Sequence, residues 1–213
     1  MKFVTVDPSE LDRRQIYRFM VGSIVPRPIA WVSTISGEGH TNLAPFSFFT
    51  AVSHAPPMMS ISVGETSEAQ KHTTRNILET QGYVIHVVVN GMEEEMNICS
   101  GNFPEEVSEF DEAGLETVPS DIVPAPRIAN CPVAMECELN SVITNGSERG
   151  ERTNLIIGEV VRWHISEDVM SDDKYIDPVK LAPVGRLAGN HYCRTQDVFE
   201  MQRPDRKPGQ MVS

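Results

Sequence analysis

The sequence predicts a mainly β protein: a closed or split antiparallel barrel with a few helices outside it. Three observations carry this. Residues 132–144 set Val133, Met135, Cys137 and Leu139 against Ala134, Glu136, Glu138 and Asn140, the period-two pattern of a half-buried strand. Six or more β-rich runs are joined by hairpin-type turns such as Ser36-Gly37-Glu38-Gly39 and Asn145-Gly146. Strands do not alternate with long helices, which argues against a doubly wound parallel sheet.

The elements follow in order. Asp7-Pro8-Ser9-Glu10 reads as a helix start, with Asp7 as cap, Pro8 at the first helical position and Glu10 closing a capping box. Leu11, Ile16, Phe19 and Met20 give this helix a partial apolar face to lay against the barrel, and Gly22 ends it. Val25-Pro26-Arg27-Pro28 is extended, because each proline biases its predecessor away from the helical region. Residues 29–35 and 40–46 form a hairpin, and 47–52 continue irregularly. After a loop at 54–57, residues 58–63 form a strand and 64–69 a polar turn. A short helix covers 73–80, with Ile77 and Leu78 inward. Tyr83 to Val89 is so apolar that it belongs at the centre of the sheet. Helices are expected at 90–99, with Asn90 as cap, and at 105–113. A proline-rich loop crosses at 115–126. A strand at 154–165 returns from the Asn145-Gly146 turn, 171–182 is mixed, and 185–192 is a polar, glycine-rich cluster. The chain reads as one domain over 1–200 with a loose tail at 201–213.

Composition bounds the function. The 213 residues are 40% hydrophobic and 23% charged, ordinary for a globular chain. The net charge of −12 argues against unspecific nucleic-acid binding, yet leaves room for an anionic ligand held by local donors. The four cysteines, Cys99, Cys131, Cys137 and Cys193, lack CxxC spacing. They read as reduced thiols of a cytoplasmic protein rather than metal ligands. No signal peptide or membrane-length apolar run is present. GxSxG, HExxH and Walker A motifs are missing, and the Gly37, Gly39 pair lacks the third glycine of a dinucleotide fold. Without an evident acid, base or nucleophile, the hard chemistry is left to a cofactor.

The stretch from Arg27 to Asn76 is the candidate cradle. Lys71, Thr73, Thr74 and Asn76 offer a cation, hydroxyls and free N–H groups at a helix start, a set suited to phosphate, with Thr73 as the expected cap. A capped helix beside a lysine is the plainer alternative. Ser33-Thr34 and Asn42-Leu43-Ala44 are short enough for a planar ring to approach the backbone, or are simply polar positions on a strand face. In Ser47-Phe48-Phe49, neighbouring aromatics point to opposite faces, so one of them needs a second apolar partner.

Taken jointly, Arg27–Thr34, Asn42–Phe49, Pro56-Pro57 and Lys71–Ile77 resemble the flavin reductase-like, FMN-binding split-barrel family, its flavoredoxin-type branch above all. Glu109-Phe110, Gly114-Leu115, Glu136-Cys137, Ile157–Val160 and Gly185-Arg186-Leu187 through Tyr192 extend the likeness over residues 20–195. The resemblance implies a homodimer with FMN near the interface. Ser33, Thr34 and Asn42 to Ala44 would lie along the flavin, with Ser47 and Phe48 near its ribityl chain and phosphate. Lys71, Thr73, Thr74 and Asn76 would serve the phosphate end. Arg27 either binds FMN or braces the loop, and Arg186 and Tyr192 close the site. The implied activity is an NAD(P)H-dependent flavin reductase that passes electrons through FMN to an oxygenase or another acceptor protein. A flavoredoxin-type carrier without pyridine-nucleotide activity is the alternative, and a scaffold that has lost FMN is a third. His72 departs from the pattern, which has an aspartate between the lysine and the threonine.

Overall fold

The structure is a computed structural model that describes residues 1–65, 70–146 and 152–202. After a 3-10 turn at Pro8–Glu10, helix α1 spans Arg13–Ser23. Strands β1 (Ala30–Ile35), β2 (Thr41–Phe46), β3 (Phe49–His54) and β4 (Pro57–Glu65) follow. Next come α2 (His72–Thr80), β5 (Gly82–Val87), α3 (Glu93–Ile98) and α4 (Glu109–Glu112). Two short strands, β6 (Thr117–Val118) and β7 (Arg127–Ile128), bracket the proline-rich crossing. The long hairpin strands β8 (Val133–Gly146) and β9 (Arg152–Ile165) complete the main sheet. Helix α5 (Pro178–Leu181) and the hairpin β10 (Val184–Arg186) with β11 (Tyr192–Arg194) close the chain.

Seven strands form one antiparallel sheet in the order β2-β1-β5-β8-β9-β4-β3. Its two end strands, β2 and β3, are consecutive in sequence, with only Ser47 and Phe48 between them. Two residues span less than about 10 Å even when extended. The sheet therefore curls until its ends meet, and the seam between β2 and β3 is the split of a split barrel. The Phe48 carbonyl accepts from Ser62 N at 2.9 Å and pins the seam to β4.

Alternation along the strands divides the apolar residues into two layers. Ala30, Val32, Ile61, Val63, Ile85, Cys137, Ile156 and Val160 fill one cluster, and Ile77 of α2 packs into it. Trp31, Leu43, Met96, Phe110 and Ile128 form the other, beneath α3 and α4. Gly158 lies where a Cβ would collide with the Tyr83 hydroxyl, so β8 and β9 need a bare backbone at that point.

Several expectations are corrected. The first helix is capped by Asp12, which forms its capping box with Gln15, while Asp7 caps only the 3-10 turn. That helix does not lay its apolar face on the barrel: Val21 is buried, but Ile16, Tyr17, Phe19 and Met20 are exposed. Residues 49–54 form a strand paired with β4, and the expected irregularity survives within it as a register shift between Ala51 and Ser53. Leu78 faces outward although Ile77 is enclosed. The third helix begins at Glu93 rather than at Asn90, whose side chain instead accepts from Arg194 Nε. The expected helix over 105–113 shortens to Glu109–Glu112. Most of the predicted turn at 64–69, the tip after Asn145-Gly146 and tail residues 203–213 lie outside the described residues. Among the described residues no helix is long and apolar enough to cross a membrane.

Candidate functional site

The site is built on β2, because β2 is an end strand with one backbone edge turned away from the sheet. On that edge the Leu43 N–H donates to Glu109 Oε2 at 2.9 Å. Asn42 and Ala44 are opposite Thr34 and Val32 of β1. The Asn42 side chain donates through Nδ2 to Thr73 Oγ1 of α2 at 3.1 Å, a buried bond. Asn76, one turn further along α2, donates through Nδ2 to Thr34 Oγ1 at 3.1 Å and accepts from Arg75. Two side-chain bonds therefore stitch the first turns of α2 to the β1–β2 hairpin. Each leaves fewer buried polar atoms that would cost free energy unpaired.

Thr73 does not cap α2. The N-cap is Lys71, which makes no side-chain cap bond, and the Thr73 hydroxyl at the second helical position is taken by Asn42. Thr74 Oγ1 is buried without a partner. Lys71 is exposed and reaches Asn102 Oδ1 at 3.2 Å.

Two clefts open on either side of Pro45. The smaller, about 550 Å³, is lined by Asn42, Ala44, Phe46, Lys71, His72, Thr73, Ser100 to Phe103 and Glu109 among others. The larger, about 890 Å³, is lined by Tyr17, Ser47, Glu93, Glu94, Asn97, Arg186 and Tyr192 among others. Pro45 and Ser100 belong to both. Each lies within the roughly 300–1,000 Å³ range of small-molecule pockets. Arg186 stacks on the Tyr192 ring at 4.3 Å and donates to its hydroxyl, so the pair forms one wall.

The remaining sequence candidates are part of the frame. Arg27 is 5% exposed. Its guanidinium donates to the carbonyls of Val21 and Ile24 at 2.8 Å, to Leu187 O at 3.0 Å and to Ser47 Oγ at 3.2 Å. It ties the end of α1 to the C-terminal hairpin. Of the two readings open in the sequence, the geometry is that of a brace. Burial depresses its pKa, and the Arg186 charge adds to that. Phe48 presents its ring 6.0 Å from the Arg27 guanidinium. Ser33 is fully enclosed, donating to Pro126 O at 2.6 Å, and neither Ser33 nor Thr34 lines either cleft.

Two buried titratable side chains hold the segment onto which Ser33 packs. His86 places Nδ1 2.9 Å from Trp31 O, and its Nε2 accepts from Ile128 N at 3.0 Å, which fixes the tautomer with the proton on Nδ1. Burial pushes its pKa down to about 4 despite the Trp31 bond, and Arg127 and His164 add to that. Glu136 accepts from the N–H groups of Asp121, Ile122 and Val123 and from His164 Nε2 at 2.6 Å. Burial alone would raise its pKa, but these four donors outweigh it and hold it at about 2.

Sequence reasoning missed Glu109, which is 6% exposed, binds Leu43 N and lines the smaller cleft. Burial raises its pKa, opposed by the Leu43 N–H and its own. The family likeness includes Glu109-Phe110 but assigns it no role, and composition does not separate it from Glu105, Glu106, Asp111 and Glu112. Only the fold turns it inward.

Comparison with known proteins places this architecture. The model of the flavin reductase like domain matches residues 21–180. An uncharacterised protein of Halalkalibacterium halodurans is 39% identical over 201 residues, 93% of this chain and 96% of that one. The crystal structure of nitrilotriacetate monooxygenase component B from Bacillus cereus is similar at a TM-score of 0.90 and 32% identity, covering 94% of this chain and all of that one. The structure of Pseudomonas fluorescens 2-nitrobenzoate 2-nitroreductase is similar at a TM-score of 0.86 and 32% identity, covering 96% and 98%.

Proposed function

The chain belongs to the flavin reductase-like family, and on that premise we propose that it is an FMN-binding oxidoreductase drawing electrons from NADH or NADPH. The observation that carries the reading is the smaller cleft. Its lining offers Lys71 and Thr73, an amine and a hydroxyl that suit a phosphate. The same lining offers Pro45, Phe46 and Phe103, apolar surface that suits a ring. Ala44 adds only a methyl group, so a flat group can approach β2. The donor set and the volume both fit FMN.

In this reading Lys71 and the first turn of α2 hold the phosphate. His72, where the family pattern has an acid, adds a donor at that end rather than a negative charge. Asn42 and Ala44 line the ring. Ser47 and Phe48 at the seam would lie near the ribityl chain and phosphate. Ser33, Thr34, Asn76 and Arg27 act on the site through the frame they hold rigid, which places Asn42 and Thr73 before any ligand arrives. FMN supplies two-electron chemistry when bound, taking a hydride equivalent from the nicotinamide and releasing electrons to an acceptor. The larger cleft, walled by Arg186 and Tyr192, receives the second substrate beside it.

The acceptor is a partner enzyme or a small oxidant. A relative that is itself a monooxygenase component supports the former. The protein acts as a homodimer in the cytoplasm, one copy covering the exposed face of α1. Tyr17 on that face lines the larger cleft, so the second copy would complete the site. Light scattering coupled to size exclusion tests this: a mass near twice 23.7 kDa is expected, and a monomer contradicts it. The flavin reading is tested by adding FMN to purified protein. Saturable quenching of flavin fluorescence, weakened by Lys71→Ala, is expected; no binding refutes it.

A further inference from the structure

Among the described residues, Glu109 is the one enclosed acid lining the smaller cleft, and the frame accounts for only half of it. Oε2 accepts from Leu43 N and caps the open edge of β2. Among the described residues, Oε1 has no hydrogen bond from another residue. The cleft is also lined by Lys71 and Thr73, the donors that make it attractive to an anion. A sphere of about 550 Å³ is about 10 Å across, comparable to the Debye length at 0.1 M salt, so solvent ions screen an enclosed pair weakly. An ionised Glu109 therefore opposes any anion bound in this cleft.

We propose that Glu109 couples binding in this cleft to proton uptake, taking a proton on Oε1 as an anionic flavin binds. This rests on the reading of the cleft as an FMN site and deepens it. The balance is simple. Carboxylate, proton and ligand become a carboxyl group with the ligand bound, while Oε2 continues to accept from Leu43 N. Burial favours the same outcome, because it already penalises the charged form.

Among the described residues, the other charged groups facing this corner leave Glu109 without an ion-pair partner. Arg75 is held by Glu105, and His40 lies 3.8 Å from that same carboxylate. Lys71 and His72 line the cleft from α2, and Cys99 and Glu95 approach from α3. Asp111 and Glu112 on its own helix are exposed.

The test is FMN affinity from about pH 5 to pH 8, for wild type and Glu109→Gln, with uncharged riboflavin as a second probe. Glutamine keeps an oxygen for Leu43 N and removes the titration. Wild-type affinity for FMN is expected to weaken roughly fivefold or more as pH rises. The variant should bind FMN more tightly at pH 8, with a flatter profile, and riboflavin should show neither effect. The second ionisation of the FMN phosphate, near pH 6, is common to both proteins and cancels in their comparison. Calorimetry of the wild type in buffers of different ionisation enthalpy reads the proton directly, whether or not the variant folds. Parallel profiles, an equal slope with riboflavin, or no proton uptake overturns the role of Glu109. Absence of FMN binding at every pH refutes the flavin reading itself, and the proposal with it.

Discussion

Asn42 of β2 and Thr73 of α2 share a buried hydrogen bond, Nδ2 to Oγ1 at 3.1 Å, that fixes the first turn of α2 against β2. Thr73→Val keeps the shape and deletes the acceptor, leaving the Asn42 amide unpaired. A loss of about 1–3 kcal/mol is expected in urea unfolding. FMN affinity should fall about tenfold, because the same hydroxyl is proposed to face the phosphate. Unchanged affinity would place the phosphate elsewhere.

Arg27 makes four hydrogen bonds with one planar group, and lysine cannot reproduce that fork. Arg27→Lys is expected to cost about 2–4 kcal/mol, chiefly by leaving the carbonyls of Val21, Ile24 and Leu187 under-satisfied. Urea unfolding followed by circular dichroism measures it. A change below about 0.5 kcal/mol would contradict the bracing role.

Acid should destabilise the fold in two stages. Folded His86 titrates at about 4, below the ordinary 6.5, so between these values the unfolded chain binds a proton that the folded chain refuses. Its contribution is complete above about pH 6.5 and is lost as pH falls toward 4, amounting to about 3 kcal/mol. Glu136, held at about 2 against an ordinary 4.5, then loses its contribution as pH falls from 4.5 through 2. Urea midpoints at pH 7, 5.5 and 4.5 should decline in wild type and decline less in His86→Gln. Equal slopes would show that His86 is not the group responsible.

At Gly158 any Cβ meets the Tyr83 hydroxyl and sits about 3.0 Å from the Glu138 carbonyl. Overpacking of this kind costs about 1–3 kcal/mol. Gly158→Ala should be destabilised by that amount, and the double variant with Tyr83→Phe should recover part of it. No recovery would mean that the backbone contact, not the hydroxyl, sets the requirement.

Much of this architecture is legible in the chain because it rests on local patterns. The alternation in β8 and the Gly37 turn between β1 and β2 are spelled out residue by residue, and α2 begins one residue earlier than its pattern suggests. What is not legible depends on distant segments. Alternation assigns Glu136 to an open face, yet it is fully buried, because residues 121–123 fold over it and offer their N–H groups. Ser33 reads as a ring-facing residue, but the same crossing segment covers it, through Pro126. Arg27 shows its role only when residues 21, 24 and 187 converge on it. The donors of the cleft were visible as a sequence cluster, whereas the acid on its wall, Glu109, was one of several in an acidic stretch.

The proposed function requires that this chain bind FMN and reduce it with a nicotinamide nucleotide. It is tested most directly by mixing the FMN-loaded protein anaerobically with NADH and, separately, with NADPH, while following the visible flavin absorption. Rapid bleaching is expected with at least one of the two, with the colour restored when an electron acceptor is admitted. Flavin that binds but stays oxidised with both nucleotides would contradict the reductase and leave an electron carrier in its place.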